Sequence, residues 1–213
     1  MRWRVLSAIV LMPYLLSAVI IDRIAIVVGN SIVKDSDISR DIRVTDFLNG
    51  QGLDLGEKAR KNAANRLIDQ VFIRKEIQVG DYPVATPQQA DQQLERLINE
   101  RFKSEAAFQN TLKHYGITAP DLRSQFVWQL TVLSFIDARF KPAVLVTDPE
   151  VEKYYHEHTA ALQKENPGKS SLDDLRVAIT NILAAQRVDK LFFAWLDDQR
   201  KDTKFKYFEA DLE

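Results

Sequence analysis

Strand-like sequence in this chain is confined to its two ends, and almost everything between reads as helix. Ile24 to Val28 is apolar and largely β-branched, as is Ser31-Ile32-Val33, with Gly29-Asn30 between them. Two such runs split by Gly-Asn read as a tight hairpin, with Gly supplying the positive φ. At the far end Phe205 and Tyr207 alternate with Lys204 and Lys206, the pattern of one more short strand. A hairpin alone is only marginally stable in water. The economical solution adds the C-terminal strand to the N-terminal hairpin, which brings both ends into one domain. The expected fold class is therefore mainly α with a small β element.

The helices announce themselves by their start signals. Ser36 or Asp37 can cap a helix beginning near Ile38, and Asn49-Gly50-Gln51-Gly52 breaks it. Ala64, Leu67, Ile68, Val71 and Phe72 form a stripe at helical spacing. Thr86-Pro87-Gln88-Gln89 combines a cap, a first-turn Pro and a Gln at the third position. Ser104 opens a short helix ended by Gly116, Thr118 opens a long one to about Phe140, and Thr147 opens another through Tyr154. The stretch from Ala160 to Ser170, with Asn166-Pro167-Gly168, reads as a polar loop. Ser171 then caps a last helix to about Gln199. Seven Gly and seven Pro in 213 residues leave little room for a turn-rich all-β alternative.

The N-terminus carries an export pattern. Arg2 and Arg4 precede a charge-free run from Val5 to Ile21. A basic start followed by a short apolar run is a signal peptide, with cleavage expected after Ala18. The alternative is an uncleaved anchor in the inner membrane. The run is at the short limit for a spanning helix, and Pro13 interrupts it. The expected division is a signal peptide at 1–18 and a folded part at 19–213.

The residues exclude several function classes. There is no cysteine, hence no disulfide framework, thiolate site or cysteine nucleophile. Lys plus Arg (29) nearly balances Asp plus Glu (30), so the chain has no bulk attraction for nucleic acid. No Gly-rich phosphate loop, nucleophile elbow or zinc-hydrolase helix motif occurs. His156 and His158 are two apart and point to different sides of a helix, a poor metal pair. They read as a solvated helix end, and so does His114. Asp35 and Asp37 read as capping residues rather than a catalytic carboxylate pair. Lys201, Lys204 and Lys206 read as edge-strand protection. No cofactor, metal or catalytic residue is expected.

The informative excess is apolar. On the helix from Thr118, Leu122, Phe126, Leu130, Leu133 and Phe140 cluster on one face, while Trp128, Val132 and Phe135 form a second stripe. The last helix repeats this, with Leu175, Ile179, Ile182 and Phe193 on one side. Val177, Ala184, Val188, Leu191 and Trp195 lie on the other. Two readings of the second faces stay open. They are buried between neighbouring helices, the commoner fate of aromatics at helical spacing. Or part of them stays open as a binding surface for other polypeptides. On the second reading the candidate binding residues are Trp128, Val132, Phe135, Val188, Leu191 and Trp195.

The segment from Ile21 to Ile38, with Arg23-Ile24-Ala25-Ile26-Val27-Val28-Gly29-Asn30 and Lys34-Asp35-Ser36-Asp37, resembles the start of the SurA-type periplasmic chaperones. Arg66-Leu67-Ile68-Asp69-Gln70 is similar to that family's following helix. Val146-Thr147-Asp148-Pro149-Glu150-Val151 with Tyr154-Tyr155 is similar to the segment leading into its prolyl-isomerase domain. The last helix and the Phe205–Phe208 strand resemble the family's closing segment. The resemblance implies a helical peptide-binding domain of the SurA and trigger-factor kind, in the periplasm, whose clients are unfolded outer-membrane proteins. One departure stands out. A parvulin-type prolyl isomerase usually follows the Tyr-Tyr-like helix start, but 159–171 is far shorter than the roughly 50 residues a domain needs.

The expected activity is an ATP-independent chaperone, active in protein folding and outer-membrane protein assembly, and not an enzyme. The rival readings are a prolyl isomerase with an unrecognised site, or a structural partner of one envelope complex. N-terminal sequencing of the exported protein is expected to begin at Val19. A sequence beginning at Met1 would establish the anchored form.

Overall fold

A computed structural model describes residues 22–168 and 171–212. The export signal read at 1–18 lies outside the described residues. The β-branched runs form β1 (Ile24–Val28) and β2 (Ser31–Lys34), and the C-terminal run forms β3 (Phe205–Tyr207). The sheet order is β2-β1-β3, with both pairings antiparallel. Val28 pairs with Ser31 on one side and Phe205 on the other. Gly29 takes φ +58°, and its N–H donates to the Lys204 carbonyl at 3.0 Å. The turn that closes the hairpin thus also extends the pairing towards β3. Ala25, Ile26 and Val28 of the central strand are buried.

Seven α-helices lie between β2 and β3 among the described residues. They are α1 (Asp35–Asn49), α2 (Glu57–Gly80), α3 (Pro87–Arg101), α4 (Glu105–Tyr115), α5 (Ala119–Arg139), α6 (Asp148–Glu165) and α7 (Leu172–Lys201). Thr86, Ser104, Thr118, Thr147 and Ser171 all serve as N-caps, as their spacing predicts. Gly116 ends α4 in the left-handed region at φ +65°. A Cβ there would lie 2.8 Å from Nη1 of Arg43, which donates to the Tyr115 carbonyl. Backbone angle and close packing therefore both require glycine at this helix end.

Two boundaries differ from expectation. Helix α1 begins at Asp35, not near Ile38, because β2 runs directly into it. Asp37 is the third helical residue, and its carboxylate accepts from the Lys34 N–H at 3.1 Å. Asp22, remote in sequence, supplies the remaining acceptors. It takes the Ser36 N–H at 3.3 Å and the Ser36 hydroxyl at 2.5 Å. The Ser36 hydroxyl bond is the main reason the Asp22 carboxyl titrates below its usual range. Asp35 pairs with Arg60 at 2.9 Å, and Arg60 also binds Glu209. The second difference is α6, which continues to Glu165 through the first half of the expected polar loop. Leu162 is buried with Val151, Leu175 and Ile179, and that contact carries the helix past its polar sequence. His156 and His158 are therefore not at a helix end, whereas His114 does lie in the last turn of α4. His158 stacks on Tyr154 one turn earlier, with ring centroids 4.1 Å apart.

Three apolar clusters organise the molecule. The largest joins the sheet to α1, α2 and the later parts of α5 and α7, and includes Leu212 beyond β3. A second gathers Val44 and Phe47 of α1 with α3, α4 and the start of α5. The third lies between α6 and the first half of α7. Helix α7 has 30 residues and is about 45 Å long, so it can serve the first and third clusters at once. Replacing the buried Leu212 by Ala is expected to cost about 2–5 kcal/mol. Replacing the exposed Phe208 by Ala is expected to cost less than about 0.5 kcal/mol. Urea denaturation of the two variants checks whether the chain end is part of the core.

Candidate functional site

The apolar excess on α5 and α7 resolves into a packed part and an open part. Phe135 is fully buried and Phe140 nearly so. They meet Phe192 and Trp195 of α7 at ring-centroid distances of 5.6–6.0 Å. Tyr82 closes on Phe135 edge to face at 4.9 Å. Arg139 lies 5.5 Å from the Trp195 ring and donates to the Tyr82 hydroxyl at 2.9 Å. Edge-on and tilted aromatic contacts of this kind lock the crossing of the two helices. Val188 is buried in the same cluster. Of the candidate binding residues, Phe135 and Val188 therefore lie in the interior, and Trp195 is half-buried beneath Arg139.

Trp128 and Val132 are placed differently. Both are half-buried and line a groove of about 500 Å³ between α2, α5 and α7. Ile73, Phe192 and Leu196 form its floor, and Leu133 and Phe193 stand in its walls. Leu133 is 61% exposed and Phe193 is 59% exposed, values that mark them as surface rather than core. Leu191 is 40% exposed but does not line this groove. Sequence periodicity places Leu133 and Phe193 on the core-type stripes, so both are missed as candidates. The helix crossing alone decides which edge of each stripe is left uncovered.

Polar residues border the apolar floor. Arg66 pairs with Asp41 at 2.5 Å and Arg200 with Asp69 at 2.6 Å. Burial pushes both carboxyls above the usual range, and the arginines only partly offset it. Gln70, Gln125 and Gln129 add uncharged donors and acceptors around the same groove. Such a border places uncharged hydrogen-bond donors and acceptors beside the apolar floor.

Two further clefts adjoin the groove. One, of about 600 Å³, lies between the edge strand β2 and helices α1, α2 and α5. The other, of about 550 Å³, lies between α2 and α5 beside Val84 and Pro87. Trp128 lines all three, so they form one trough along the α2–α5 seam. Arg74 of α2 reaches across this seam and lies over the Trp128 ring, 4.1 Å from its centroid. The buried Thr131 steadies one wall by accepting the Ala85 N–H at 3.0 Å. Among the described residues, no group of acidic or histidine side chains is arranged to hold a metal. None of the described helices is long and apolar enough to cross a membrane.

The fold is a three-stranded sheet that joins the N-terminal and C-terminal segments and carries a helical body. The chain is similar to a solved structure from Campylobacter jejuni, from work describing the virulence factor PEB4 and the periplasmic protein Cj1289 as two structurally related SurA-like chaperones. The TM-score is 0.54 at 12% identity, over 88% of this chain and 100% of the other. At that identity the likeness is one of fold. No family model matches the sequence, and no curated protein matches it.

Neighbouring residues on α7 test the division between packed and open surface. Phe192→Ala is expected to cost about 3–5 kcal/mol, because its ring is buried among Phe140 and Trp195. Phe193→Ala is expected to change stability by no more than about 0.5 kcal/mol. Equal losses in thermal or urea unfolding would place Phe193 in the core instead.

Proposed function

We propose that this chain is an exported, ATP-independent chaperone that shields apolar segments of unfolded polypeptides, with outer-membrane proteins as its clients. The observation that carries the reading is the open trough. Leu133 and Phe193 stand exposed beside an apolar floor, in a fold shared with SurA-like chaperones. Exposed apolar side chains that flank a groove cost solubility and are usually retained for binding. Shallow apolar contact and uncharged glutamines favour weak, sequence-tolerant binding. Release then follows from client folding and needs no nucleotide.

The reading is not enzymatic. Helix α6 ends at Glu165 and α7 begins at Leu172, an interval too short for an inserted isomerase domain. The binding residues proposed are Trp128 and Val132 from the earlier stripes, together with Leu133 and Phe193. Phe135, Val188 and Trp195 hold the walls in position, and Leu191 lies outside the groove lining.

The test is aggregation of a denatured outer-membrane β-barrel protein, diluted with and without the protein lacking residues 1–18. Suppression near stoichiometric amounts without nucleotide is expected. The double variant Leu133→Ser, Phe193→Ser is expected to require about tenfold more protein for the same effect, since the two side chains together lose apolar contact worth about 1.4 kcal/mol. Absence of suppression by folded protein in large excess would overturn the reading in favour of a dedicated envelope partner.

A further inference from the structure

The trough contains a cation that the protein itself does not neutralise. Around the cleft beside β2, the acidic groups are already committed. Asp37 accepts from the Lys34 N–H and lies 3.9 Å from Arg40. Asp121 caps α5 and lies 3.7 Å from Arg40. Asp41 is paired with Arg66. Arg40 is thus balanced by two carboxylates. The side chains of Arg74 and Lys75, which line the same cleft, have no hydrogen bond or ion pair among the described residues. On the far side of Arg74, the cleft beside Val84 and Pro87 has no acidic residue in its lining. Its other cation, Arg123, is paired with Asp91.

The position of Arg74 suits recognition rather than stability. Its guanidinium rests on an aromatic face, which orients the planar fork and removes water from one side. Partial burial lowers its affinity for the proton without approaching neutrality, so the charge persists while its hydration is reduced. A guanidinium in this state gains more from a carboxylate than one free in water. Acidic groups nearby would normally fill that role, and here they are engaged elsewhere.

We propose that Arg74, laid over Trp128 with Lys75 beside it, is a carboxylate subsite that receives the side chain of an Asp or Glu within an extended client peptide. The assignment to an internal side chain follows from the clefts on both sides of Arg74. A bound chain passes over the Arg74–Trp128 stack and continues in each direction, so its terminus need not lie there. The preferred client segment is then an acidic residue flanked by apolar ones, with the apolar side chains in the adjoining groove. This inference rests on the peptide-binding reading of the trough and narrows its client class.

Isothermal titration calorimetry of the purified protein at low salt tests it with two apolar peptides that differ only in a central Glu or Gln. Each is made with a free and an amidated C-terminus. The Glu peptide is expected to bind about tenfold more tightly than the Gln peptide, the usual scale for one charge-assisted contact. Arg74→Gln is expected to erase the difference between the two peptides, while Arg74→Lys retains part of it. Amidation is expected to change neither value. Equal affinities of the two peptides for the unmodified protein would overturn the subsite while leaving the trough as a peptide groove. A preference that survives in Arg74→Gln, or one that depends on a free C-terminus, would also overturn it. Failure of either peptide to bind at all would remove the peptide-binding reading together with the subsite.

Discussion

The structure depends on the pairing of β1 with β3. Strand β1 is the central strand of a three-stranded sheet, and its Ala25, Ile26 and Val28 are all buried. A hairpin of β1 and β2 would not persist alone. Its third strand comes from the other end of the chain, 177 residues beyond Val28 at Phe205. Closing a loop of that length is entropically costly only in a logarithmic sense. The cost is met by burial of the apolar face against α2 and α7 and by Leu212 just past the strand. The helices are therefore held by a clasp made of the two chain ends.

From this clasp the helices divide between separate apolar clusters. Helix α1 contributes Ile38 and Ile42 to the cluster under the sheet, and Val44 and Phe47 to the one with α3 and α4. Helix α5 is divided in the same way, with Leu122 in one and Phe135 in the other. The trough follows the seam where α2 and α5 stand apart between these clusters. The cluster under the sheet supplies the trough floor through Ile73, Phe192 and Leu196, and Trp128 and Val132 pack against that cluster. Trp128 carries Arg74 on its outer face, and the groove beside it leaves Leu133 and Phe193 exposed.

The ion pairs around this frame position elements more than they stabilise them. Partly exposed pairs are worth at most about 1 kcal/mol each. Their placement is nonetheless systematic. Arg60 ties α1 to the chain end through Asp35 and Glu209, Arg200 ties α7 to α2 through Asp69, and Arg187 ties α7 to the start of α6 through Glu150. The bond from Arg187 is the largest influence holding the Glu150 carboxyl down to about 2. Because that value is depressed, its contribution is present above the ordinary pKa of 4.5 and fades as pH falls towards 2.

What the sequence determined by itself is the local structure and the closure of the sheet. Caps such as Thr86, Thr118 and Ser171, the left-handed glycines 29 and 116, and the 3.6-residue stripes are properties of neighbouring residues, and short-range sterics and hydrogen bonding decide them. Even the union of the chain ends is legible, since a lone hairpin and a lone strand leave each other as partners. What only the tertiary structure decided is which apolar residues stay uncovered. Phe135 and Leu133 are two residues apart on one helix, yet the first is fully buried and the second is mostly exposed. Phe192 and Phe193 are adjacent, with the same contrast. Periodicity identifies a helix with too many apolar faces, but the choice of covered face depends on how α5 crosses α7. That crossing is set by contacts among residues distant in sequence, such as Phe140 with Phe192, which no local pattern records.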